Sequence, residues 1–286
     1  MSRLQRALSH TVDAVKRGDK EKYLANLCAP PNARAALFAV QAFNLELANI
    51  RTKTSEANTA NLRFQWWRKA LEQAQSGNPP NHPVALALSS AMQHHKLTTR
   101  YLEQMIEARE ADISITQPET LDDLLLYCEQ TSGAMLLLGM ESVGSHGDST
   151  TEQAATLAGV TCALATLLRG FAFHVSQDNC TYIPAEIART HSLSLKSILS
   201  GKHSAELSGA MAELSGIART HLLSARSLQS QLPAACRSVL LPVTSSELVL
   251  RHLESIGYNP YVMSRSTLSS FSLVGTLAWH SFRGSY

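Results

Sequence analysis

Apolar residues recur at helical spacing along nearly the whole chain. Between residues 33 and 50, Leu37, Val40, Leu47 and Ile50 stand three or seven apart, forming one stripe of a helix. Pro30-Pro31-Asn32 gives that helix a defined start. The same period predicts helices over 56–75, 83–96, 98–113, 119–140, 151–175, 204–231, 234–241, 245–255 and 265–282, with a first amphipathic helix over 1–17. Ser76-Gly77-Asn78-Pro79-Pro80-Asn81 stops the helix that ends at 75. Gln117-Pro118 precedes the one that begins at 119, and residues 142–148 read as a loop. Residues 151–175 are mostly apolar, so that helix is expected at the centre of the core. No segment of useful length alternates as a strand would, and Tyr182-Ile183-Pro184 is too short to change the class. There is no internal repeat, no low-complexity tract and no linker long enough to separate two domains. The expected architecture is therefore all-α, a single domain over residues 1–286.

Composition sharpens this only in part. With 44% hydrophobic and 17% charged residues the chain suits a packed fold and not a disordered one. The net charge of +2, with both signs mixed along the chain, gives no electrostatic reason to expect nucleic acid as a partner. The five cysteines are odd in number and widely spaced, and most stand in apolar helical context. They read as reduced thiols packed as small hydrophobes, in a reducing interior such as cytosol or mitochondrial matrix. The longest mostly apolar run, 154–168, is shorter than the roughly 20 residues needed to cross a bilayer. Residues 1–17 carry Arg3, Arg6, Lys16 and Arg17 against Asp13. They read either as an ordinary first helix or as a basic amphipathic segment of the kind found in mitochondrial presequences.

Several polar groups invite a chemical reading. Asp122-Asp123 follow Thr120 at a helix start, where acids favour the positive end of the dipole, so capping is expected and not metal binding. Glu103 and Glu107 are one turn apart with Asp112 beyond. With Arg100 and Arg109 nearby, they read as a solvated, ion-paired face more than as a Mg²⁺ site. His174 and Asp178, four apart, have the spacing of a Zn²⁺ ligand pair, but no third ligand is evident in the sequence. His94-His95 are adjacent and diverge around a helix. Glu46 lies within an apolar helix and needs a partner if buried; Arg63, Arg68 and Arg169 are the candidates. Trp66-Trp67 must point in different directions, one into the core and one outward. Arg63 and Arg68 also have the charge to clamp a phosphate or a lipid headgroup without a metal.

Five blocks taken together resemble the squalene/phytoene synthase family, over residues 22–253. They are Leu37-Phe38-Ala39-Val40-Gln41-Ala42-Phe43, Leu62-Arg63-Phe64-Gln65-Trp66-Trp67-Arg68, Met105-Ile106-Glu107-Ala108-Arg109-Glu110-Ala111-Asp112, Leu126-Tyr127-Cys128-Glu129-Gln130-Thr131-Ser132-Gly133, and the stretch from Gly159 through Leu167-Leu168-Arg169 to Tyr182-Ile183-Pro184-Ala185-Glu186. The resemblance implies an isoprenoid-synthase-like helical bundle around a central, apolar cavity. It places Phe43, Glu46, Asn49, Arg63, Trp67, Asp112, Tyr127, Gly133, Arg169 and His174 at that cavity. In the family two aspartate motifs hold Mg²⁺ against a substrate diphosphate. The matching positions here read Ala48, Asn49 and Thr52 in the first motif, and Gly170-Phe171-Ala172-Phe173-His174 in the second. A hard divalent cation needs anionic oxygen ligands. The resemblance therefore implies no catalytic residues, no metal and no cofactor.

The wording Ala42-Phe43-Asn44-Leu45-Glu46-Leu47-Ala48, then Arg63-Phe64-Gln65-Trp66-Trp67-Arg68-Lys69, is similar to one mitochondrial branch of that family, which supports early assembly of respiratory complex I. Asn259-Pro260, Ser264-Arg265-Ser266-Thr267-Leu268 and Trp279-His280-Ser281-Phe282-Arg283 agree with it. This implies a non-catalytic matrix protein, peripherally associated with the inner membrane. Its partners would be complex I assembly intermediates or other mitochondrial proteins, and its cavity a holder for a lipid or prenyl ligand. The chain begins almost where the resemblance does, which leaves little or no presequence. Two rival readings are an active prenyl transferase with atypical metal ligands and a permanent structural subunit of a mitochondrial complex.

Overall fold

The structure, a computed structural model, describes residues 1–53, 57–263 and 270–286. Helix starts follow the caps that the sequence supplies. A Ser2–Gln5 capping box opens α1 (Arg3–Gly18), and the Asp19 carboxylate opens α2 (Lys20–Leu27) by accepting from Lys22 N at 3.0 Å. α3 (Pro31–Lys53) begins on its proline, as expected. α4 (Ala57–Gln75) ends before Gly77, which turns the chain at φ +81°. α5 (Pro83–His95) is stopped by Lys96 in the left-handed region. α6 (Thr99–Asp112) is capped from a distance: buried Glu141 accepts from the Thr98 backbone N–H at 2.8 Å and from its hydroxyl at 2.5 Å. α7 (Leu121–Cys128) opens with a Thr120–Asp123 capping box, the role expected of that acidic pair.

Two segments expected as single helices are each divided by a wide turn. The first is α7, a π-helical turn over Glu129–Gly133, then α8 (Ala134–Ser142). The second is α9 (Ser149–Arg169), one turn of α10 (Phe171–Phe173), then a second π-turn over His174–Asp178, with a 54° bend across the break. Gly170, at the bend, is among the weakest helix formers and releases the chain there. Beyond it come α11 (Ala185–Thr190), α12 (Leu195–Leu199), α13 (Ala205–Ser227), α14 (Ala234–Val239), α15 (Pro242–Ser255), α16 (Pro260–Met263) and α17 (Ser270–Arg283). α15 starts three residues earlier than its period suggests, on Pro242. α2, α11, α12 and α16, of four to eight residues, are too short for the period to register. The predicted starts at residues 56 and 265 lie outside the described residues. All regular structure among the described residues is helical.

α9 is central, as its apolar sequence predicts. It packs against α13, α15, α8 and the turn at Glu129–Gly133. Its buried positions are mostly small, including Ala154, Ala155, Ala158 and Gly159, and small residues let neighbouring backbones come close. A Cβ at Gly159 would lie 2.4 Å from Gly133 Cα, so α9 crosses the π-turn glycine on glycine. One core gathers α1, α3, α4, α5 and α6 around Phe43, Phe64, Leu88 and Met105. A second gathers α7, α9, α13 and α15 around Leu164, Met211, Leu214 and Leu250. A third, around Leu136, Met140 and Val239, also receives Tyr286, whose hydroxyl donates to Ala225 O at 2.8 Å. α1 buries Ala7, Thr11 and Val15 against α3 and α5, so residues 1–17 pack as a helix of the fold. All five cysteines are free thiols, four of them buried. Among the described residues no single helix is long and apolar enough to cross a membrane.

Two substitutions probe the central crossing. Gly159→Val is expected to destabilise the protein by about 3 kcal/mol or more, because the new side chain meets backbone that cannot move aside. Gly216→Ala, in α13 with nothing within 4 Å, is expected to stabilise by roughly 0.5–1 kcal/mol. Urea unfolding followed by circular dichroism distinguishes the two.

Candidate functional site

Between the first two cores, α3, α6, the first π-turn and the end of α9 enclose a cavity of about 440 Å³. Its floor is a connected polar network. Asp112, at the end of α6 and only 5% exposed, binds Arg51 of α3 at 3.0 Å and accepts from the Tyr182 hydroxyl at 2.7 Å. The same arginine donates to Asp112 O at 2.6 Å and to Ile115 O at 3.0 Å. Arg51 thereby satisfies the Ile115 carbonyl and gives Asp112 O, which also accepts from Ile115 N at 3.1 Å, a second donor. The Tyr182 ring stacks on Tyr127 with centroids 5.6 Å apart, and the Tyr127 hydroxyl accepts from Arg109 at 2.7 Å. Arg109 also reaches Asn44 Oδ1 at 3.5 Å, while its Nε is buried with no hydrogen-bond partner. His174 stands edge-on to Tyr182 at 5.0 Å, and its Nδ1 is 2.9 Å from Asp178 Oδ2.

Burial and charge set the protonation of this network. Burial pushes the hydroxyls of Tyr127 and Tyr182 above the ordinary tyrosine range, so both stay neutral. Burial works against the charge of Arg51, but the Asp112 carboxylate outweighs it and holds the guanidinium above its usual range. Burial also lowers His174 despite the Asp178 carboxylate beside it, which favours the neutral imidazole. At the rim, Lys22 binds Asp19 at 2.8 Å and Arg169 binds Glu21. Three of the four carboxylates lining the cavity are thus neutralised by a cation, Asp19 by Lys22, Glu21 by Arg169 and Asp112 by Arg51, while Asp178 has only a hydrogen bond with the His174 ring.

That arrangement does not fit a Mg²⁺ ion held against a diphosphate. Such an ion needs carboxylate oxygens free to coordinate it. Ala48, Asn49 and Thr52 bring a methyl, an amide and a hydroxyl to the wall.

The residues picked out from sequence fall into three groups. Asn49, Asp112, Tyr127, Arg169 and His174 line the main cavity. Glu46, Arg63 and Trp67, with Asn49 between the two sites, line a separate pocket of about 260 Å³ between α3 and α4, together with Trp66 and His82. Phe43 and Gly133 line neither: Phe43 is fully buried edge-on to Trp67 at 5.0 Å, and Gly133 is the backbone contact under Gly159. Trp67 is buried and Trp66 is 42% exposed, as their adjacency predicts.

Four expectations need correction. The cavity is mixed and not wholly apolar, because charged residues of α2, α3 and α6 line it beside Leu45, Leu47, Ile113, Leu167 and Phe173. Glu46 is half-buried and makes no ion pair with Arg63, Arg68 or Arg169. Arg68 is bound to Glu110 and Arg169 to Glu21, while Glu46 faces the pocket of Trp67, away from the cavity floor. Arg109 and Asp112 do not share a solvated face with Glu103 and Glu107: the two glutamates are exposed and the other two turn inward. His174 and Asp178 gain a third neighbour with a ligand atom, Cys180, all three atoms lying within 4.8 Å of one another. Asp19, Glu21 and Lys22 carry no periodic signal, because they belong to the short α2 and its cap.

A family model for squalene/phytoene synthase matches residues 15–272. The chain belongs to the squalene/phytoene synthase family. It is similar to the protein named NADH dehydrogenase (ubiquinone) complex I, assembly factor 6, of Bos taurus, with 28% identity over 267 residues, covering 92% of this chain and 80% of that protein. Similarity to phytoene synthase 1, chloroplastic, of Arabidopsis thaliana is 25% identity over 248 residues, covering 85% of this chain and 58% of that protein. The fold matches a solved dehydrosqualene synthase in complex with ligand at a TM-score of 0.82, over 99% of this chain and 98% of that one, with 19% identity.

Replacing Asp112 by alanine leaves Arg51 buried without its carboxylate and Tyr182 without its acceptor. The expected loss is about 3–5 kcal/mol, the cost of breaking a buried pair from one side. Glu46→Ala, in the open side pocket, is expected to change stability by about 0.5 kcal/mol or less. Thermal melts of the two variants check this contrast.

Proposed function

We propose that this chain is a non-catalytic assembly factor that acts early in the assembly of respiratory complex I, on the matrix side of the mitochondrial inner membrane and peripheral to it. It would work as one domain over residues 1–286. The name carried by its animal relatives supports the assembly role. The observation that carries the non-catalytic part is the pairing of Asp19, Glu21 and Asp112 with Lys22, Arg169 and Arg51 of the same chain. Ionising a prenyl diphosphate requires cations that stabilise the departing diphosphate. Here three of the four cavity carboxylates are already neutralised by Lys or Arg.

The cavity keeps room for an occupant. Its polar floor favours an anionic or hydrogen-bonding headgroup, with Arg109 Nε as an unused donor. A second pocket of about 430 Å³, lined in part by Ile115, Leu124 and Leu126, shares Asp112, Tyr127 and Tyr182 with the first. A lipid or prenyl tail has apolar surface available there. Partner proteins would meet the outer surface, complex I intermediates foremost.

Deletion of the gene is expected to remove complex I from native gels stained for NADH dehydrogenase activity, with the other respiratory complexes intact and wild type restoring the band. Unchanged complex I overturns the proposal. The purified protein, supplied with prenyl diphosphate and Mg²⁺, is expected to yield no prenyl product; turnover would return it to the transferases. Its retention at one copy per mature complex would make it a subunit instead.

A further inference from the structure

The wall of the cavity holds one set of side chains that the assembly reading does not use. His174, Asp178 and Cys180 stand on the second π-turn and the residues that leave it. We propose that this His-x₃-Asp-x-Cys loop is a zinc site, with three protein ligands and a fourth position open to the cavity.

The donor set carries the choice of metal. An imidazole, a carboxylate and a thiolate together suit a borderline-soft ion such as Zn²⁺ and are a poor set for Mg²⁺. Charge agrees with it: one carboxylate and one thiolate neutralise the ion, so a buried site carries no net charge. Displacing the thiol proton to solvent is part of binding, since burial holds Cys180 up at about 11 and a coordinating thiol is deprotonated by the metal.

The backbone prepares the loop. His174 and Asp178 face each other across the wide turn at 2.9 Å. Asn179 then adopts a left-handed conformation at φ 48°, and the chain doubles back. The N–H groups of Asn179 and Cys180 both donate to His174 O, the second at 3.2 Å, which draws the thiol under the imidazole. Gly170 matters here as well, because a Cβ there would lie 3.0 Å from His174 Nε2 and crowd the ring. The three ligand atoms now lie within 4.8 Å of one another; a tetrahedral zinc site brings them to about 3.5 Å, a shift within the reach of side-chain rotation.

Access and support are also in place. His174 and Asp178 line the cavity, and Cys180, at 1% exposure, closes the site from behind. Tyr182 holds the imidazole ring edge-on, and the nearby Arg51 has its charge already taken by Asp112. The fourth position faces the polar cavity, where a water or an anionic occupant can complete the coordination.

The test uses the full chain, stripped with a chelator, reloaded with zinc and desalted, with metal content read by mass spectrometry. Co²⁺ serves as an optical probe of thiolate ligation. The wild type is expected to keep one zinc per chain and to show a thiolate-to-cobalt charge-transfer band. Cys180→Ser is expected to lose that band and to weaken zinc binding by more than about tenfold, as is His174→Ala. Cys28→Ser and Cys236→Ser, with circular dichroism of every variant, control for other thiols and for folding. A wild type that keeps no zinc, or a folded Cys180→Ser that binds zinc as the wild type does, overturns the site. Either result leaves the complex I assay untouched, so the two proposals stand or fall separately.

Discussion

The ion pair between Arg51 and Asp112 is the constraint on which the cavity depends. It joins the end of α3 to the end of α6, and Tyr182 ties the segment after the second π-turn to the same carboxylate. Charges inside a helical bundle are costly unless each finds a partner and its remaining hydrogen bonds. A polar cavity in an apolar frame can meet that demand with bound cations or with bases of its own chain. This chain supplies Lys22, Arg51 and Arg169 from three different helices. Three of the cavity's four carboxylates are therefore neutralised from within, and the same pairs tie its walls together.

The layout of the fold was largely legible in the sequence because the period of burial is a local signal. α9 reads as central from its own composition, and the Thr120–Asp123 cap and the divergent Trp66 and Trp67 follow from helical geometry alone. The candidate site was less legible for a physical reason. A period of 3.6 locates the polar face of a helix but cannot say whether that face meets water or a cavity. By charge pattern Arg109 reads as part of a solvated surface and proves to line the cavity, where only the family resemblance had placed its neighbour Asp112. Conversely, Phe43 and Gly133 stand beside site residues in sequence but serve packing. Glu21 and Lys22 stand on an eight-residue helix that no periodicity could disclose.

The two π-turns explain the rest of the difference. Each widens a helix where it borders the cavity, and each interrupts a segment that reads as continuous. The first sets Thr131 and Ser132 toward the cavity while Gly133 presses on Gly159, so close packing and an open wall coexist within three residues. At that crossing Gly159 leaves no room for a side chain, whereas a Cβ at Gly133 would meet its neighbours at 3.7 Å or more.

The second turn has the larger consequence. Had α9 continued straight past Gly170, as its sequence suggests, its later residues would have run on beyond the cavity. The 54° bend instead carries the chain across the cavity wall. One short stretch then delivers His174, Asp178, Cys180 and Tyr182 to a single region, opposite Asp112 and Arg51 from the other half of the bundle. Gly170 both permits the bend and leaves space for the His174 ring.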